Sequence, residues 1–197
     1  MQTVDKIDAL ALYRKKMESF SPIPDNEFEQ LSEKLREKHF TKGEVLLKEG
    51  QICKEFYFII NGCIRSFSLE NGREVNVKFF FETDTACDFK SFRSEQPSMF
   101  YLIVMENTVA YCGLKSEIVP VFTKEAALHL VLFRFFQDLY FREEVQANSF
   151  KLLSPEERYN FLVEHDPKYL NRIPLVHLAS YLGMSRETLT RIRQRLT

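Results

Sequence analysis

The residues best equipped for chemistry stand near the end of the chain. Between Ser185 and Arg195 lie Arg186, Arg191, Arg193 and Arg195, with Glu187, Thr188, Thr190 and Gln194 among them. Leu189, Ile192 and Leu196 interrupt this set at spacings of 3 and 4. A helix there would bury the apolar stripe and turn the charges outward. A guanidinium donates two parallel hydrogen bonds, the pattern that guanine O6 and N7 accept, and a carboxylate accepts from cytosine N4. Arginines and hydroxyls beside such a face suit phosphate oxygens, which position a helix without reading sequence. The spacing puts Arg186, Glu187, Thr190, Arg191 and Gln194 on the outward face and Arg193 and Arg195 on its flanks. Ser185 and Thr188 belong to the helix start, with Ser185 as its cap.

Such a helix reads a duplex only if something fixes its angle of approach. Leu175–Leu182 predicts a preceding short helix with Val176, Leu178, Ala179 and Leu182 turned inward. Gly183 then supplies the left-handed residue that lets the chain reverse. The pair is a helix-turn-helix whose second member suits the major groove. Upstream, Ser154-Pro155-Glu156-Glu157 is a helix start, with serine as cap, proline at the first position and glutamate at the third. That helix runs to about His165, where Asp166-Pro167 ends it.

Charge distribution supports a polyanion partner more than net charge does. The 197 residues carry a net charge of −1 and are 45% hydrophobic, enough for one large domain or two small ones. Residues 151–197 hold 8 Lys and Arg against 5 Asp and Glu, whereas residues 1–150 hold 19 against 23. Cys53, Cys63, Cys87 and Cys112 form no CxxC pair and no knuckle with histidine, so a metal or cluster is not expected. With no secretory leader and no long apolar run, the chain reads as cytoplasmic, with reduced, buried thiols and no membrane span. His39, His129, His165 and His177 accompany no recognisable nucleophile or carboxylate constellation, so the chain is not expected to be an enzyme and no cofactor is implied.

The elements that hold this machinery follow from periodicity. Residues 5–20 and 25–38 read as helices. From Phe40 the chain turns rich in β-branched and aromatic residues, and Asn61-Gly62 and Asn71-Gly72 each predict a hairpin. From Lys124 a long helix returns, with Leu128, Leu132, Phe135 and Leu139 on one stripe and Phe133, Phe136 and Tyr140 on another. A helix so widely apolar must be covered on more than one side, by the β-structure and by a second copy of the chain. The fold class is α+β: an antiparallel β-roll or barrel with flanking helices over residues 1–123, a dimerisation helix over 124–150, and a helix-turn-helix over 151–197.

The whole chain resembles the Crp/Fnr family of bacterial transcription regulators. "GMSRETLTRIRQRL" is similar to that family's recognition helix, and "LLSPEERYNFLVEHDPKYLNRIPLVHLASYLGMS" resembles the segment before it in Bacteroidetes-type members. Gly43, Gly50 and Gly62 fall in the family's β-roll cadence. The resemblance implies a β-roll ahead of a winged-helix-like domain, and a homodimer on an inverted-repeat double-stranded DNA operator, with Arg186, Glu187 and Arg191 at the base-reading positions. RNA polymerase and a small-molecule effector would be its other partners. It also implies a cyclic nucleotide-binding-like pocket whose cassette falls on "ACDFKSFRSEQPSMFYL". Relatives that bind cyclic nucleotides carry Gly-Glu there, with an arginine ten residues after the glutamate. Here Cys87 and Asp88 precede Phe89, Ser98 stands in the arginine's place, and Arg93 is only five residues from Asp88. A buried phosphate without a cation is costly, so cyclic AMP is not the expected effector. The iron–sulfur branch is excluded by the lack of cysteine before Cys53, and His129 is a weak basis for haem. Relatives continue past the last helix into a wing, and contacts from that element are not expected here. The competing reading is a ligand-sensing or protein-interaction module whose DNA-binding part is vestigial.

Overall fold

The computed structural model describes residues 6–196, with side chains from Ala9 to Arg195. Helices α1 (Lys6–Glu18) and α2 (Asp25–Ser32) open the chain and lead into β1 (Leu35–Phe40). Next come β2 (Val45–Leu47), β3 (Glu55–Asn61), β4 (Ile64–Glu70), β5 (Arg73–Phe80), β6 (Thr85–Ala86), α3 (Phe89–Ser94), β7 (Tyr101–Val104) and β8 (Thr108–Leu114). Six helices close it: α4 (Lys115–Lys124), α5 (Ala126–Leu152), α6 (Pro155–His165), α7 (Lys168–Arg172), α8 (Leu175–Tyr181) and α9 (Arg186–Leu196). The strands form two four-stranded sheets, ordered β1-β8-β3-β6 and β2-β7-β4-β5. The chain is α+β, as its sequence implied.

The second helix is shorter than its sequence suggests. The stretch 35–38 reads as helical in isolation, being Leu, Arg, Glu and Lys. Leu35–Phe40 is instead a strand, paired antiparallel with β8 from Leu35–Gly113 to Phe40–Thr108. Local propensity loses here to a full ladder of hydrogen bonds on a sheet edge.

The two Asn-Gly pairs part company. Asn71-Gly72 joins adjacent strands β4 and β5 as a hairpin, with Asn71 at φ 53°. Asn61-Gly62 joins no hairpin: β3 and β4 lie in different sheets, and the chain crosses between them at Gly62. The crossing is tight. Gly62 stands at φ 116°, its amide donates to Glu82 Oε1 at 2.9 Å, and a Cβ there would lie 2.7 Å from Thr108 Cα. Gly62→Ala should therefore destabilise the chain by about 2–5 kcal/mol, combining an unfavourable φ with overlap against backbone. Denaturant unfolding checks this. A loss below about 1 kcal/mol would mean the crossing has slack.

Internal packing divides the chain into two units, residues through Ser66 with Phe79–Asp138, and Phe67–Lys78 with residues from Leu139 onward. The first has its core between the sheets and helices, where Leu31, Phe58, Ile59, Ile64 and Leu128 are fully buried. Glu27 of α2 accepts the Ala127 and Leu128 amides, both at 3.1 Å, and so satisfies free donors at the start of α5. In the second unit the β4–β5 tip packs with the C-terminal helices. The Asn76 amide donates to Ser180 Oγ at 3.0 Å, and Ser180 Oγ donates to the Glu74 carbonyl at 3.1 Å. Among its buried apolar residues are Tyr159, Leu162, Tyr169, Ile173, Leu178 and Leu189.

Candidate nucleic-acid interface and effector pocket

The last two helices owe their geometry to a few capping and anchoring contacts. Ser154 and Glu157 form a reciprocal capping box at the start of α6, as their spacing predicts. Arg158 on α6 then reaches across to the turn after α8: its Nε donates to the Leu182 carbonyl at 3.0 Å, and its Nη1 to the Leu153 carbonyl at 2.9 Å. Gly183 has φ 65°, and a Cβ there would come within 2.9 Å of the Phe150 ring. The Met184 amide closes the reversal on the Ala179 carbonyl at 3.0 Å. Leu178, Ala179 and Leu182 face inward, whereas Val176, expected among them, is 56% exposed. A helix of seven residues offers only one inner face, and Leu178, Ala179 and Leu182 fill it.

On α9, Leu189 and Ile192 are buried, and Arg186, Glu187, Arg191, Arg193, Gln194 and Arg195 are exposed. The side chain of Leu196 lies outside the described residues. Ser185 Oγ accepts the Thr188 amide at 3.1 Å and so caps the helix. Glu187, held by its own backbone amide and then by the Ser185 hydroxyl, titrates below the usual carboxylate range and is charged throughout the neutral range. Two hydroxyls are already engaged. Thr190 donates to the Arg186 carbonyl at 2.9 Å, and Thr188 Oγ1 lies 3.1 Å from Ser185 Oγ and 3.5 Å from Arg191 Nη2. Arg195 stands 3.9 Å from Glu156.

The four cassette residues separate into two pairs. Asp88 caps α3, accepting the Lys90 and Ser91 amides at 3.1 Å each. Ser98, 3% exposed, donates from Oγ to Asp88 Oδ2 at 2.7 Å. Nearby, Ser91 Oγ takes the Cys53 amide at 3.0 Å and donates to the Gln96 carbonyl at 2.6 Å. These groups bond one another, with an acid already on the helix start that a phosphate would approach. Phe89 and Arg93 instead help line a separate cavity of about 540 Å³ within the first unit, beside α1, α4 and the first half of α5. Phe135 and Lys115, which no short motif marks, line it too. All four cysteines are buried free thiols, with Cys53 Sγ 3.7 Å from Cys87 Sγ. Among the described residues, no group of three or more His, Cys, Asp or Glu side chains could hold a metal ion. Nor is any described helix long and apolar enough to cross a membrane.

The domain is defined by comparison. Residues 37–120 match the family described as cyclic nucleotide-binding domain. No curated protein matches the chain in sequence. Among solved structures, FixK2 from Bradyrhizobium japonicum aligns at a TM-score of 0.69 and 19% identity, covering 82% of this chain and 84% of its own. CLP of Xanthomonas campestris, a c-di-GMP responsive global regulator, gives 0.67 and 15% over 88% and 91%. The catabolite activator protein of Thermus thermophilus gives 0.57 and 20% over 92% and 86%. Residues 37–120 are thus similar to a cyclic nucleotide-binding domain. The likeness to these three solved structures, all at 20% identity or less, is one of fold.

Proposed function

We propose that the chain is a homodimeric transcription regulator that reads an inverted-repeat DNA site with α9. The observation that carries this reading is the division of α9 into a buried stripe and a face of Arg186, Glu187, Arg191 and Gln194 open to solvent. Arg186 and Arg191 would donate to guanine, and ionised Glu187 would accept from cytosine. Because the Thr190 hydroxyl is turned back onto the helix, its methyl group is what it offers a base, and thymine is the base with a matching methyl. Ser185 and Thr188 would sit against phosphate at the helix start, with Arg193 and Arg195 on the flanks. The description of similarly folded proteins as an activator and a global regulator supports the same class. Selection from a random duplex pool tests it. The expected product is an inverted repeat with half-sites roughly one helical turn, about 34 Å, apart. Recovery of no shared sequence would count against DNA reading.

The sensor domain, on the same reading, does not respond to cyclic AMP or cyclic GMP. Asp88 and Ser98 satisfy each other where a glutamate and an arginine would hold ribose and phosphate, and the Asp88 carboxylate repels a second anion. Arg93 is exposed and lines the other cavity. Calorimetry with either nucleotide should show no saturable heat at physiological concentration. Micromolar binding would overturn the assignment. Ser98→Arg alone should restore little, because Asp88 would still occupy the helix start.

A further inference from the structure

The cavity lined by Phe89 and Arg93 has a composition of its own. Tyr13, Phe20, Phe58, Phe89, Phe122 and Phe135 form much of its wall. Their rings are fixed against one another edge to face: Phe89 and Phe135 at 5.4 Å, Phe20 and Phe135 at 5.7 Å, Tyr13 and Phe58 at 4.6 Å. Its volume of about 540 Å³ lies within the range of roughly 300–1,000 Å³ typical of small-molecule sites. The polar lining is one-signed. Lys16, Arg93, Lys115 and His129 line the cavity, and none of the lining residues is acidic. Lys115 is bonded to Glu95 at 2.8 Å from outside the lining, which leaves Lys16 and Arg93 as the cations to test. Thr123 adds little polarity, since its hydroxyl already donates to the Val119 carbonyl at 2.8 Å.

We infer that this cavity binds an apolar monocarboxylate of the fatty-acid type. The hydrocarbon would lie among the phenylalanines, and the carboxylate would meet Lys16 and Arg93. A nucleotide is a poor fit, because its base and ribose would find few hydrogen-bonding partners on an aromatic wall. The ligand would touch α3, α4 and the first half of α5 together, and so reach the helix assigned to dimerisation. The binding site stands apart from the DNA-reading proposal; only an effect of the ligand on operator affinity would rest on it.

The native chain contains no tryptophan, so Phe136→Trp places a single indole at the cavity lining. Palmitate should shift the emission of that variant with a micromolar Kd, while a control indole at exposed Phe161 on α6 should not respond. Calorimetry on the unaltered chain should give the same affinity. Lys16→Gln with Arg93→Gln should weaken palmitate about tenfold or more, the loss expected when charge-assisted bonds are removed, yet leave the binding of palmityl alcohol unchanged. Thr123→Trp, at an exposed lining position, should fill the cavity and abolish both. Thermal melts within a few degrees of the unaltered chain would show that each variant is folded. The inference is overturned if palmitate produces no saturable signal, or if binding survives Thr123→Trp. It is equally overturned if acid and alcohol lose affinity together in the charge variant, or if haemin displaces palmitate and binds through His129.

Discussion

Phe133→Glu with Tyr140→Glu should convert the chain from dimer to monomer and lower operator affinity by roughly 10²–10⁴-fold, the gain that two linked half-sites provide over one. In the single chain Phe133 is 57% exposed and Tyr140 64%, and Phe141 and Val145 are also open. Soluble proteins seldom leave such a run of large apolar groups in water, and seven-residue spacing puts Phe133 and Tyr140 on one seam. The inner stripe is a different case. Leu128 is fully buried and Leu132 packs against the core of its own unit, so charge there would damage the fold before it tested association. Light scattering at micromolar concentration gives the mass, and titration of labelled operator gives the affinity. A dimer that persists in the double variant would place the interface elsewhere. A wild-type monomer would remove it.

What could be read beforehand depended on how local each signal was. The capping box at Ser154, the break at Pro167, the reversal at Gly183 and the cap at Ser185 each depend on a few adjacent residues, and each appears where its chemistry put it. The long apolar helix was legible for the same reason, although it begins at Ala126, after α4 has ended at Lys124. Leu35–Phe40 was not legible as a strand, because its reason to be one is β8, whose paired residues lie 68 to 78 positions further along the chain. Asn61-Gly62 carried a hairpin signature, but Thr108 and Glu82, remote in sequence, turn it into a crossing between sheets. Among the site residues, α9 could be read as a face because one helix contains it whole. The cassette could be read only by its departures. That Asp88 would bond Ser98 while Phe89 and Arg93 turned to another cavity follows from tertiary packing, which residue spacing does not record.

The second large effect concerns α9 itself. Arg186, Glu187 and Arg191 are assigned to bases, so removing any one should cost on the order of 1–3 kcal/mol at its own base position. The other positions of the half-site should keep their preference, because well-separated base contacts add almost independently. Arg193 and Arg195 are assigned to phosphates, so their loss should weaken every sequence alike and lessen the dependence of affinity on salt. The measurement that separates these roles is site selection at one fixed ionic strength, run on the unaltered chain and on Arg186→Ala, Arg191→Ala and Arg193→Ala. Loss of preference at one symmetric pair of positions for each of the first two, with an unchanged motif for the third, is the result predicted. If Arg186→Ala and Arg191→Ala bind more weakly yet select the same motif as the unaltered chain, α9 is a phosphate clamp and does not read DNA.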